Sequence, residues 1–113
     1  MKDAVELLLR VHILLNGLRS GDEPLDVISR EILLSIATSQ INGKLLRISD
    51  IRFNPEFGSP VTALSRLRFL METGWVKSVK DPVDGRAQLL ALTTRSNKSI
   101  VQIAAKLRRA IAG

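Results

Sequence analysis

The chain contains no cysteine, which excludes a disulfide framework and any thiolate metal site and fits a reducing cytoplasm. It has a single histidine, His12, set in an apolar stretch. One imidazole with no carboxylates at helical spacing makes no set of two or three metal ligands, so His12 reads as a core or interface residue. It also leaves Ser59, which follows Gly58, without a base to activate it. There is no Gly-rich phosphate loop and no Gly-x-Ser-x-Gly elbow. Aromatic residues make up 4% of the chain, too few for the stacking platform of a single-strand binder. Long hydrophobic runs are missing as well: Leu7 to Leu9 is soon interrupted by Arg10, His12 and Asn16, so no membrane span is expected. The acidic start Met1-Lys2-Asp3, with no small-residue cleavage site after it, does not read as a secretory signal. With no catalytic constellation, the chain is not expected to be an enzyme, and neither a metal nor a cofactor is expected.

The 113 residues, 45% hydrophobic and 25% charged, fit one domain, which we expect to span 1–113. A domain of this size buries roughly two thirds of its unfolded surface, enough for one core. The net charge of +6 is unevenly placed. Residues 1–31 carry four basic and six acidic side chains, residues 32–84 seven and five, and residues 85–113 six basic and none acidic. Such a bias suits a face that meets a polyanion, although a solvated basic helix would produce it too.

Apolar residues at Ala4, Leu8, Val11, Leu15 and Leu18 predict a first helix. Val5, Leu9 and Ile13 make it apolar nearly all round, which calls for a partner helix and hence a dimer. Residues 20–24 form a turn-rich break. Asp26 is placed to cap a helix from Val27 to about Ser39, with Ile28, Ile32, Leu33 and Ile36 inward. Leu45 to Ile51 reads as a short helix or turn, and residues 54–58 as a loop. Ser59-Pro60 opens the next helix, and Gly74 sits where a C-terminal glycine belongs. On its wheel Leu64, Leu67 and Met71 share one face, while Thr62, Ser65, Arg66, Phe69 and Thr73 fall opposite. The segments 75–80 and 87–93, separated by Asp81-Pro82-Val83-Asp84-Gly85-Arg86, predict a β-hairpin, with Trp75 as a packing anchor beneath it. A last helix runs from Thr94 to about Ile111. The architecture is thus mainly α with one small hairpin.

The helix 59–73 and the hairpin 75–93 together are expected to make a nucleic-acid interface, although Ser, Thr and Arg are also common surface residues that any helix exposes. A B-DNA major groove admits one α-helix. Thr62, Ser65 and Arg66 can reach bases or phosphates, and Ser59 with the free N–H groups of the helix start suits a phosphate oxygen. Lys77, Lys80 and Arg86 lie on the hairpin, and Arg86 at its turn suits a minor groove.

From Ile28 to Arg95 the chain resembles the MarR family of winged helix-turn-helix transcription regulators. The resemblance is carried by Ser59-Pro60-Val61-Thr62, Leu70-Met71-Glu72-Thr73-Gly74-Trp75-Val76, Asp81-Pro82-Val83-Asp84-Gly85-Arg86 and Leu92-Thr93. It implies a cytoplasmic homodimer on double-stranded DNA, with residues 26–93 as the DNA-binding core and residues 1–20 and 94–113 as dimerisation helices. It further implies that Arg86 is the wing arginine and Asp84 the acid that orients it. Phe69 stands where the family usually has a polar or basic residue. The competing reading is a winged-helix protein-interaction module anchored on Phe69. Which operator is bound, whether binding represses or activates, and whether a small-molecule effector acts are left open by the sequence.

Overall fold

A computed structural model of the chain describes residues 1–112. In order these form α1 (Lys2–Leu15), β1 (Arg19–Ser20), β2 (Glu23–Pro24), α2 (Val27–Ile41), β3 (Leu46–Arg47) and α3 (Ile48–Arg52). A 3-10 turn, Pro55–Phe57, then leads to α4 (Pro60–Glu72), β4 (Val76–Lys80), β5 (Gln88–Leu92) and α5 (Thr94–Ala112). The chain divides into two compact units: Asp26–Ser96, and Met1–Leu25 with the chain from Asn97 onward.

In the unit Asp26–Ser96 the local signals set the helix ends. The Asp26 carboxylate accepts the Ser29 N–H at 2.7 Å and starts α2. The buried stripe of α2 is Ser29, Ile32, Leu33, Ile36 and Ala37, so Ile28 is displaced to its edge by Ser29. Ser59 caps α4, Pro60 occupies its first turn, and Gly74 follows with a positive φ of 81°. A side chain at Gly74 would be strained there.

The hairpin 75–93 forms, but as part of a three-stranded antiparallel sheet in the order β3-β5-β4. β4 and β5 pair from Val76↔Leu92 to Lys80↔Gln88, and β3 adds Leu46↔Leu90 and Arg47↔Leu89. The expected helix or turn over Leu45–Ile51 is therefore two residues of strand and then a helix. The reason lies in β5: with Leu90, Ala91 and Leu92 all buried, its second edge needs hydrogen-bond partners. β3 provides them, and the Gln40 side chain accepts the Leu92 N–H at 2.9 Å.

Beneath the sheet Trp75 is 1% exposed, with the Arg95 guanidinium 4.8 Å from its ring centroid, as expected of a packing anchor. Arg95 also donates to the Thr73 carbonyl at 2.6 Å. Thr93 accepts the Ser96 N–H and donates to the Gly74 carbonyl, and the buried Ser96 hydroxyl donates to the Trp75 carbonyl. The start of α5 is thereby stitched to the turn between α4 and β4.

In the other unit α1 has no fully buried residue, and Val5, Leu8, Leu9 and Ile13 are largely exposed. His12 is exposed, its Nε2 3.3 Å from the Asn16 amide nitrogen, so it is no core residue. The break at 20–24 is a minimal hairpin pairing Arg19 with Pro24. A Cβ at Gly17 would meet the Leu14 carbonyl at 2.9 Å, whereas Ile103 at 3.5 Å would be in ordinary contact, so glycine serves the tight turn that ends α1. Among the described residues no helix is long and apolar enough to cross a membrane, and no group of three or more His, Asp or Glu is placed to hold a metal.

Candidate nucleic-acid interface

Two short devices aim α4. Asp50 accepts the Arg47 N–H at 2.8 Å and fixes the start of α3, while the Asn54 side chain accepts the Glu56 N–H at 3.0 Å and closes the 3-10 turn. Ile51 and Phe57, both buried, pin this helix-turn to the core. α4 then buries Ala63, Leu67 and Leu70.

That burial turns α4 away from the orientation its wheel suggested. The inward centre is Ala63-Leu67-Leu70, with Leu64 and Met71 half-buried, and the outward face is Val61, Ser65, Arg68, Phe69 and Glu72. Ser65 and Phe69 are on it as expected, with Phe69 40% exposed. Thr62 and Arg66 lie at its margin. Ser59 and Thr62 are engaged with each other: the Ser59 hydroxyl accepts the Thr62 N–H at 3.2 Å and donates to its hydroxyl at 3.1 Å.

Arg66 is tied down. Its Nε lies 2.6 Å from Oδ2 of Asp26, in a pair whose side chains are 39% and 50% exposed. The contact is an ion pair that joins the start of α2 to α4. Partial burial works to raise the Asp26 pKa, but the Ser29 N–H and the Arg66 charge outweigh it and hold the carboxyl below its ordinary value.

On the wing, side chains alternate faces along β4. Lys77 and Lys80, both exposed and three apart, therefore point to opposite sides of the sheet. The turn is built by its acids. Asp81 accepts the Val83 N–H at 2.9 Å, and Asp84 accepts the backbone N–H of Arg86 at 3.1 Å. The contact of Asp84 is thus with the Arg86 backbone, and among the described residues the two side chains make no ion pair. Arg86 itself is exposed at the tip. At the wing base Arg47 faces Asp81 at 3.7 Å.

Val61, Arg68 and Arg52 join this surface beyond the residues expected from the sequence. Val61 is 80% exposed. Arg68 is exposed and makes no ion pair among the described residues. Arg52 stacks over the exposed ring of Phe53, 5.2 Å from its centroid. The signal was available in the spacing: 61, 65, 68 and 72 form one i, i+4, i+7, i+11 stripe.

No protein-family model and no curated protein matches the chain. Solved structures do. The chain is similar to the transcriptional regulator Tm0710 from Thermotoga maritima, with 19% identity and a TM-score of 0.67 over 96% of this chain and 72% of that one. It is similar to AbsC, a MarR family transcriptional regulator from Streptomyces coelicolor, with 18% identity and a TM-score of 0.59 over 97% and 72%. It is also similar to the PcaV transcriptional regulator of that organism, solved in complex with its natural ligand, with 20% identity and a TM-score of 0.55 over 95% and 71%. The fold is therefore that of the winged helix-turn-helix regulators of the MarR type, as the motifs implied.

Proposed function

We propose that the chain is a double-stranded-DNA-binding transcription regulator, with the helix 59–73 in the major groove and the wing 75–93 at the minor groove. The observation that carries it is the outward face of α4: Ser65 and Arg68 are exposed, and Arg68 makes no ion pair among the described residues, on a helix whose opposite side is sealed by Ala63, Leu67 and Leu70. The likeness in fold to transcriptional regulators supports the same reading. Ser59, Thr62 and the first-turn N–H groups face a phosphate, and Arg66 is preorganised by Asp26 at the margin of the groove-facing side. Lys77 and Lys80 supply sequence-independent attraction, from opposite sides of the sheet and so to different phosphates. Asp84 shapes the turn that presents Arg86 to the minor groove.

A homodimer belongs to this reading. The exposed apolar side chains of α1, with Val101 and Ile111 of α5, are what a second copy would cover. Two such copies would address half-sites about one helical turn apart.

The test is binding to random duplex DNA across a salt series, followed by fluorescence anisotropy. Log affinity is expected to fall linearly with log salt, with a slope of several ions. Arg86→Ala should weaken all duplexes alike and lower the slope by about one. No binding at low salt would overturn the proposal and favour the second reading, in which the 40% exposed Phe69 anchors a protein partner. Phe69→Ala, and not Arg86→Ala, would then abolish the interaction.

A further inference from the structure

We infer that the outward face of α4 reads bases through two side chains: Val61 packs on the C5-methyl of a thymine, and Arg68, two turns along, donates to O6 and N7 of a guanine in the same half-site. This rests on the DNA-binding reading above and names the sequence class that the face would prefer.

Val61 takes little part in the core. It is 80% exposed in the first turn of α4, so it contributes almost no burial, and a β-branched residue is a poor helix former. In the major groove the thymine methyl is the one apolar group on a base edge. A valine set over any other edge would cover polar atoms and return no hydrogen bond.

Arg68 makes no ion pair among the described residues, whereas Arg66 is held by Asp26 at 2.6 Å. Arginine donating through two N–H groups to guanine is the commonest specific contact in the groove. Val61 and Arg68 lie on one stripe with Ser65 between them. Seven residues of helix rise cover about 10.5 Å, which is roughly three base-pair steps of about 3.4 Å. Ser65 tolerates either partner type and so selects little.

The surroundings match a duplex. The shallow depression between α3 and α4 is lined by Arg52, Pro60, Val61, Leu64, Ser65 and Arg68, two guanidinium groups and no carboxylate. Arg52 is steadied by its stack on Phe53, which suits a phosphate at the groove edge.

The experiment begins by selecting duplexes from a random library with the parent chain. Each thymine of the selected site is then replaced in turn by deoxyuridine, which removes the methyl alone. One replacement per half-site should weaken the parent about fourfold, the value of one buried methyl. Val61→Ala, which removes the contact from both half-sites of the dimer, should show the same weakening per half-site on the thymine duplex and no further response to deoxyuridine at that position. Arg68→Ala should lose about tenfold to a hundredfold and no longer distinguish guanine from adenine about three steps away. If the parent binds duplex DNA but no deoxyuridine replacement matters, or if Val61→Ala responds as the parent does, the base assignment is wrong and the DNA reading survives. If the parent binds no duplex at low salt, both fall.

Discussion

Asp26 does two things with one carboxylate. Oδ1 caps α2 through the Ser29 N–H at 2.7 Å, and Oδ2 holds Arg66 at 2.6 Å. Only the first was legible in the sequence. A cap is a matter of neighbours, and an Asp just before an apolar periodic segment announces it. The partner on α4 is distant in sequence, and the wheel placed Arg66 outward because nothing local revealed the acid. The pair has a pH signature. Asp26 is held below its ordinary value of 3.8 in the folded chain, so its contribution is complete above 3.8 and is lost as pH falls through the lower folded value. Asp26→Asn keeps a capping oxygen but no charge. Urea unfolding followed by circular dichroism should show it less stable than the parent at neutral pH, by no more than about 1 kcal/mol for so exposed a pair. The difference should shrink to nothing in acid; a difference constant with pH would mean that the charge is not the cause.

At the scale of elements, the helices and the hairpin could be read because each carries its own punctuation: Asp26, Ser59-Pro60 and Gly74 for helix ends, Asp81 to Arg86 for the turn. β3 could not. It is two residues long, and its existence depends on β5, far along the chain, having a bare inner edge. The buried face of α4 departs from its wheel for a related reason. Apolar residues occur on more than one side of it, and which side is buried depends on where α2 and α3 lie. The same non-local logic makes Gln40 a structural residue. Its side chain accepts the Leu92 N–H within a strand whose residues 90–92 are buried. Gln40→Leu would leave that donor without a partner, and a loss of about 1–3 kcal/mol is expected in urea unfolding. Amide exchange at Leu92 should accelerate relative to its neighbours on β4; unchanged stability would show that water replaces the amide.

For the molecule as a whole, the exposed apolar face of α1 is the feature that the Asp26–Ser96 unit does not explain. Leu8 is 69% exposed, so Leu8→Glu should leave the circular dichroism unchanged. By sedimentation the parent should be a concentration-dependent dimer and this variant a monomer. A parent that stays monomeric at all concentrations would remove the dimer from the proposal. There is a further consequence of how α4 is mounted. Its start is fixed by Ser59 and its end by Gly74, and its inner side is locked by Ala63, Leu67 and Leu70. Val61, Ser65 and Arg68 take no part in any of this. Changes at those three positions are therefore nearly free of folding cost, and a lineage of such chains could drift from one target to another while every variant along the way remained a sound protein.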